Sequence, residues 1–251
     1  MFYLDKSITL NQKILLITGW GGGTKLLNPL EQALQQQGHQ VELINIFNAL
    51  DEQIVQQQVE LAKQFDVIVG WSLGGQLAAL LVDQIEQQYT QQKVLITLAS
   101  NPRFVAHDSW QTAMDQLTFQ QFQQSFEQDA IATLKKFGYM VCQGVKSTKA
   151  DFITLQSLIQ PQQIQLLKQG LNLLEKLNVA DILKKYPGNQ YHLLAQQDAL
   201  VSCKVTENLQ NFSAKFLEAD LMAGSHGFPI FNVEETTDKI CHYLKKIKQT
   251  A

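Results

Sequence analysis

A serine between two glycines is the first residue that could do chemistry. Residues 70–74 read Gly-Trp-Ser-Leu-Gly, after an apolar run at 65–69 and before a helix-like run at 75–82. A Gly-x-Ser-x-Gly motif between a strand and a helix is typical of a nucleophile elbow, which exposes the serine at the carboxyl edge of a sheet. The sharp turn needs small flanking residues. We therefore predict Ser72 as a nucleophile; the alternative is an ordinary strand–helix turn.

A serine hydroxyl needs a base to remove its proton and an acid to orient that base. When this elbow carries a triad, the chain order is Ser, Asp or Glu, and His. His226 follows Ser72 and lies in a loop of small residues, Ala-Gly-Ser-His-Gly, and it is our candidate base. The other histidines precede the elbow or lie in the helical middle segment, a strand or the last helix: His39, His107, His192 and His242.

Two aspartates could orient the imidazole. Asp198 follows a predicted strand and leaves room for a helix and a strand before His226, whereas Asp220 precedes His226 by only six positions. We favour Asp198, whose alternative role is a turn or helix N-cap. Asp220 remains the competing candidate.

Backbone N–H groups could hold the oxyanion that forms during acyl transfer. We predict that one belongs to Leu73, directly after Ser72, and the other to Trp20 in a glycine-rich loop, residues 18–23, with sequence Thr-Gly-Trp-Gly-Gly-Gly. The indole of Trp20 would line the acyl site. A phosphate-binding loop is the alternative, but the G-x-x-x-x-G-K-[ST] spacing is absent.

Strand-like and helix-like runs alternate over the first hundred residues, which predicts an α/β fold with a parallel sheet and helices on both faces. Predicted strands are 13–18, 40–46, 67–69 and 93–99, with helices at 25–37 and 51–64. Residues 101–187 show only helical signals, including 118–137, 149–158 and 162–177. Strands at 191–195 and 215–217 follow, with helices from 204 and at 233–247. We predict a core of residues 1–100 and 188–251 with an inserted helical cap at 101–187.

Composition limits the function further. A net charge of −3 argues against a nucleic-acid binder. Three widely spaced cysteines predict neither disulfides nor a metal site. Residues 1–10 do not resemble a secretory leader, and no run is long enough for a membrane span. We expect a cytoplasmic monomer without metal or cofactor, because a triad needs neither.

Several stretches together resemble one family, the pimeloyl-[acyl-carrier protein] methyl ester esterases of biotin biosynthesis, which have the α/β-hydrolase fold. These stretches are Gly19–Gly21, Gly70–Gly75, Ala99–Phe104 with Asp108–Trp110, the cap segments 120–122, 136–137 and 170–174, and Asp198–Val201. The elbow alone is generic, whereas 99–110 and the cap are specific. The family usually has histidine where this chain has Thr18.

The resemblance implies a reaction and a partner. Ser72 would attack the methyl ester of pimeloyl-acyl-carrier protein, with His226, Asp198 and the N–H groups of Trp20 and Leu73 assisting. The acidic carrier would dock on cap lysines, where the family mostly has arginine: Lys135, Lys136, Lys146 and Lys149. Phe137, Tyr139 and Met140 would bind the acyl chain, although core packing is an equal alternative.

Other functions fit the same motifs. A general carboxylesterase acting on free esters, or an acyltransferase on the same fold, would use the same triad. A catalytically silent binding protein would keep the fold without turnover. The combined serine, histidine, aspartate and glycine-rich loop argue against that last reading.

Overall fold

The computed structural model describes residues 11–249, so residues 1–10 and 250–251 of the predicted core lie outside the described range. Six strands form one sheet in the order β2-β1-β3-β4-β5-β6, and every pair of neighbours is parallel. The strands are β1 (Lys13–Ile17), β2 (Gln40–Ile44), β3 (Val67–Trp71), β4 (Val94–Leu98), β5 (Gln190–Ala195) and β6 (Leu217–Met222). The predicted parallel sheet is confirmed.

Each strand of the sheet's centre buries both of its faces, as expected for a parallel sheet. On β1, Leu15 and Ile17 join one apolar cluster, whereas Ile14 and Leu16 join a second. Helices α2 (Glu52–Ala62), α3 (Leu73–Tyr89) and α9 (Val205–Gln210) pack into the first cluster. Helices α1 (Asn28–Gln36), α10 (Phe228–Phe231) and α11 (Val233–Gln249) pack into the second. Helices therefore cover both faces, as predicted.

Five helices lie between β4 and β5: α4 (Gln116–Gln128), α5 (Ala130–Cys142), α6 (Thr148–Leu158), α7 (Ile164–Lys176) and α8 (Ala180–Lys185). Residues 101–115 are not helical and form only isolated bridges, such as Val105 with Met114. Helices α7 and α8 contact α3, so this helical segment is joined to the sheet through the helix that follows the elbow.

Several predicted boundaries were wrong. The helix predicted at 118–137 is interrupted at Asp129, whose extended backbone (φ −150°) ends α4 while its carboxylate accepts a hydrogen bond from the Ala132 N–H to cap α5. The predicted 25–37 helix begins as a 3-10 turn, Thr24–Leu27, before α1. The last strand is Leu217–Met222, so it begins two residues later and ends five residues later than the predicted 215–217.

The predicted cap of α2 is confirmed, because the Asp51 carboxylate accepts hydrogen bonds from the N–H groups of Gln53 and Ile54. Of the helices in residues 11–249, none combines the length and apolar character needed to cross a bilayer.

Candidate active site

Ser72 lies between the end of β3 and the first residue of α3. Its backbone has φ 56° and ψ −123°, a conformation that non-glycine residues rarely adopt. The turn is so tight that a Cβ on Gly70 would lie 2.0 Å from the carbonyl oxygen of Gly74, and a Cβ on Gly74 would lie 2.4 Å from that of Ile17. Both glycines of the motif are therefore required by the backbone of the elbow.

The structure brings Ser72, His226 and Asp198 together. His226 Nε2 lies 3.0 Å from Ser72 Oγ, and His226 Nδ1 lies 2.8 Å from Asp198 Oδ2. The side chains of His226 and Asp198 are each only 1% exposed. The three groups form a continuous hydrogen-bonded line that links a hydroxyl to a buried carboxylate.

Neighbouring groups orient each member of this line. Asp198 Oδ1 accepts hydrogen bonds from the N–H groups of Leu200 (2.8 Å) and Val201 (2.9 Å), so Oδ2 is the oxygen left for the imidazole. The indole N–H of Trp71 donates to the carbonyl oxygen of His226 over 3.0 Å. The loop of the histidine is thereby tied to the strand that ends at the serine.

The competing aspartate lies elsewhere. Asp220 is within β6, where its carboxylate accepts a hydrogen bond from the Tyr191 hydroxyl (3.0 Å) and lies 4.0 Å from Lys239 Nζ. His192, on the neighbouring strand, is fully buried against Thr97, with 2.7 Å between Nδ1 and Oγ1. Burial lowers the pKa of His192 to about 3. This imidazole is therefore neutral at physiological pH and is part of the buried core.

Cys142 is the buried thiol at the end of α5. Burial raises the pKa of Cys142 to about 12, so the thiol is protonated at neutral pH and is not a competing nucleophile. Within residues 11–249, no group of three or more His, Cys, Asp or Glu side chains is arranged to hold a metal ion.

The glycine-rich loop lies directly against the elbow. A Cβ on Gly19 would be 3.1 Å from Cβ of Ser72, which places the backbone of the next residue, Trp20, beside the serine. Leu73 is the first residue of α3, where backbone N–H groups have no partner within the helix. Two backbone segments therefore flank Ser72 where donors to an oxyanion would be needed.

The side chain of Trp20 is buried between the loop and the helical segment. Its indole N–H donates to the carbonyl oxygen of Leu167 in α7 over 2.8 Å. Its ring meets Phe137 edge to face, with 4.9 Å between centroids. Gly170 of α7 provides the space for this indole ring, because a Cβ at that position would lie 2.3 Å from it.

An apolar cavity adjoins Ser72 and His226. Apart from these two residues its lining is aromatic or aliphatic: Trp20, Phe104, Met114, Phe119, Phe122, Phe137, Met140, Leu174 and Leu200. Six of these were not predicted, because they come from five separate segments of the chain. A partial signal was present, since Phe119 and Phe122 are three residues apart and share one face of α4.

The predicted acyl-chain residues separate into two groups. Phe137 and Met140 line the cavity, but Tyr139 does not. Tyr139 is 42% exposed and packs edge to face on Phe152 of α6. Residues 137 and 140 are three apart and share a face of α5, while 139 points away from it. The prediction for Tyr139 is therefore corrected.

The four predicted docking lysines are all exposed: Lys135, Lys136, Lys146 and Lys149. None of them forms an ion pair with a carboxylate of residues 11–249. Helix α5 carries Lys135 and Lys136 on its exposed side and Phe137 on its cavity side, so it connects the cavity with this basic surface.

Solved structures with a similar fold include a bromoperoxidase and an esterase. A bromoperoxidase from Bacillus anthracis superposes with a TM-score of 0.79 over 94% of this chain and 92% of its own, at 16% identity. An esterase from Exiguobacterium antarcticum has a TM-score of 0.75 over the same shares, also at 16% identity. The fold is that of the α/β-hydrolases, as the family resemblance implies.

Curated relatives carry the name that the sequence resembles. The pimeloyl-[acyl-carrier protein] methyl ester esterase of Shewanella woodyi is 26% identical over 96% of this chain and 97% of its own length, and that of Vibrio cholerae is 28% identical over 89% and 90%. The biotin biosynthesis bifunctional protein BioHC of Saccharophagus degradans is 29% identical over 74% of this chain. This chain spans only 36% of that protein's length.

These relatives confirm the resemblance seen in the sequence. The model of the uncharacterised protein family UPF0227 matches residues 27–170, which is more than half of the chain and includes the elbow and most of the helical segment. The chain belongs to this family, UPF0227.

Proposed function

We propose that this protein is a serine carboxylesterase that hydrolyses the methyl ester of pimeloyl-acyl-carrier protein. The observation that carries the proposal is the line of hydrogen bonds from Ser72 through His226 to Asp198 beside an apolar cavity. This choice of substrate is supported by the names of the relatives that match over nearly their whole length.

In the acylation step, Ser72 Oγ bonds to the ester carbonyl carbon and its proton passes to His226 Nε2. Asp198 stabilises the imidazolium through Nδ1, and the N–H groups of Trp20 and Leu73 hold the negative oxygen. The tetrahedral intermediate then collapses. The bond to the methoxy oxygen breaks, and His226 gives its proton to the departing methanol.

In the deacylation step, water replaces the alcohol. His226 takes a proton from the water as its oxygen attacks the acyl carbon, and then returns a proton to Ser72 Oγ as that bond breaks. The products are the free carboxylate on the carrier-bound chain and the regenerated enzyme.

The cavity and the basic surface suit the two ends of such a substrate. The apolar lining, which includes Phe137 and Met140, matches a methylene chain. The exposed lysines Lys135, Lys136, Lys146 and Lys149 would attract an acidic carrier protein. We assign residues 101–187 as the cap that carries this surface on a core of residues 1–100 and 188–251, in a cytoplasmic monomer.

A general esterase acting on small free esters is the second candidate. The triad and the cavity would serve either substrate. The structurally similar protein of Exiguobacterium antarcticum is named simply an esterase, which favours this second candidate. Under this alternative the cap lysines would have no part in turnover.

The test is hydrolysis of pimeloyl-acyl-carrier-protein methyl ester beside a short nitrophenyl ester, with Ser72→Ala as the control. We expect a higher kcat/KM for the carrier-bound ester and a loss of about a thousandfold or more in kcat for Ser72→Ala. Turnover of the free ester alone would favour the general esterase. Equal labelling of wild type and Ser72→Ala by a fluorophosphonate would refute Ser72 as the nucleophile.

A further inference from the structure

The glycine-rich loop has high intrinsic conformational freedom. Gly21, Gly22 and Gly23 are consecutive, and Gly21 (φ 100°) and Gly23 (φ 77°) have positive φ. Glycine backbones have the most conformational freedom of any residue. A backbone donor must nevertheless be placed to a fraction of an ångström to stabilise an oxyanion. The loop therefore needs side chains from elsewhere to hold it.

A polar relay connects the two ends of this loop. At the first end, the buried Thr18 hydroxyl donates to Asn45 Oδ1 over 2.9 Å. Asn45 Nδ2 donates in turn to Gln162 Oε1 over 2.6 Å. At the other end, Gln162 lies on Gly23 so closely that a Cβ there would be 2.3 Å from Gln162 Nε2. The relay thus runs from residue 18 to residue 23 through Asn45 and Gln162.

The directions of these hydrogen bonds follow from the backbone. Asn45 Oδ1 also accepts from the N–H of Ile46 over 2.9 Å, so this atom must be the oxygen and the other amide atom must donate to Gln162. Gln162 Nε2 then donates to the carbonyl oxygen of Gln160 over 3.1 Å. Each amide of the relay has one possible orientation, which makes the relay a specific connector.

The segment that carries Gln162 is itself attached to the loop region. It links α6 to α7, and its Gln160 N–H donates to the carbonyl oxygen of Gly22 over 3.0 Å. The N–H of Lys25, just after the loop, donates to Gln160 Oε1 over 2.9 Å. The helical segment thus holds the loop along its length.

We propose that Thr18, Asn45 and Gln162 are positioning residues that hold the backbone N–H of Trp20 against Ser72. This rests on the proposed function, in which that N–H is a donor to the oxyanion. The three side chains do not touch the reacting atoms. They act by restricting a loop of glycines, and they couple the helical segment to the chemistry of the core.

The experiment uses two pairs of variants and a short nitrophenyl ester. Thr18→Val and Gln162→Met keep the side-chain size but remove a relay partner, whereas Thr18→Ser and Gln162→Glu keep the hydroxyl and the acceptor oxygen. We expect the apolar variants to lose about tenfold or more in kcat with little change in KM. Thr18→Ser should recover most of the activity. Gln162→Glu should recover only part of it, because its carboxylate can accept from Asn45 but cannot donate to the carbonyl oxygen of Gln160. Gln165→Met, on the exposed side of α7, is the matched control.

A double-mutant cycle tests whether the residues act as one unit. Thr18→Val and Gln162→Met together should lose little more than either alone, because each already breaks the same relay. Multiplied losses would refute a single relay. Circular dichroism melting identifies variants that are folded at the assay temperature.

Unchanged kcat in the folded apolar variants, or equal losses in the apolar and conservative members of a pair, would overturn the proposal. The proposed substrate fails separately, if wild type hydrolyses the short ester but not the carrier-bound ester. Wild-type protein that neither hydrolyses the short ester nor reacts with a fluorophosphonate would refute the esterase assignment, and the positioning role with it.

Discussion

Substituting Asp198 by asparagine should separate the orientation of the imidazole from the stability of the fold. Two backbone N–H groups, of Leu200 and Val201, donate to Asp198 Oδ1. An asparagine would keep an oxygen there, because turning the amide would leave two N–H groups without an acceptor, at a cost of about 1–3 kcal/mol each. The amide nitrogen is therefore directed at His226 Nδ1.

An N–H group that faces Nδ1 forces the proton of the neutral imidazole onto Nε2. His226 Nε2 would then donate to Ser72 Oγ instead of accepting its proton. We expect kcat to fall by about ten thousandfold, which corresponds to about 5 kcal/mol of transition-state stabilisation. The melting temperature should change little, since both backbone hydrogen bonds remain.

The assay is steady-state hydrolysis of a short nitrophenyl ester, together with thermal melting of each variant. Asp220→Asn is the matched control, because Asp220 binds Tyr191 and not His226, and it should keep the wild-type kcat. A folded Asp198→Asn protein within tenfold of wild type would refute the tautomer argument. A large loss of kcat in Asp220→Asn with an unchanged melting temperature would indicate that Asp220 orients the imidazole.

Two further predictions concern the cap and the core. Lys136→Glu should raise KM for the carrier-bound ester by about threefold to tenfold, with a smaller effect at high salt, and should leave KM for a short free ester unaffected. Lys248→Glu, on the exposed side of α11, is the control. An equal effect of Lys136→Glu on both esters, or an equal effect of Lys248→Glu on the carrier-bound ester, would contradict docking on the cap. Burial lowers the pKa of His192 to about 3. The fold should therefore become less stable as pH falls from about 6.5, because the imidazole of the unfolded chain takes up its proton first. The free energy of unfolding measured in urea should decrease by about 1.4 kcal/mol per pH unit through this group, and an unchanged slope in His192→Gln would contradict it.

Much of the fold could be predicted because local sequence selects local structure. The alternation of apolar strands and amphipathic helices predicted the parallel sheet with helices on both faces. The Asp51 cap was predicted because an N-cap needs only its own next few residues. The prediction of one helix at 118–137 failed because the apolar pattern continues across Asp129. There the chain ends one helix and Asp129 caps the next.

The elbow was the most predictable part of the site. Its motif lies within five residues, and its glycines are required by contacts within the turn and with β1. Chain order excluded His39, and the predicted helices and strand that carry the other histidines reduced the base to His226. For the acid, the sequence favoured Asp198 but left Asp220 as a competitor. Which carboxylate contacts the imidazole depends on where the ends of β5 and β6 lie relative to the loop of His226, and no local pattern encodes that placement.

The amino-acid sequence by itself determined the order of the elements, the conformation at Ser72 and the short set of candidate partners, because each depends on neighbours in the chain. Tertiary structure decided the contact of Asp198 with His226, the cavity built from separate segments, the outward position of Tyr139 and the relay from Thr18 to Gln162. These features join residues far apart in sequence, so they exist only once the sheet and the helical segment have packed together.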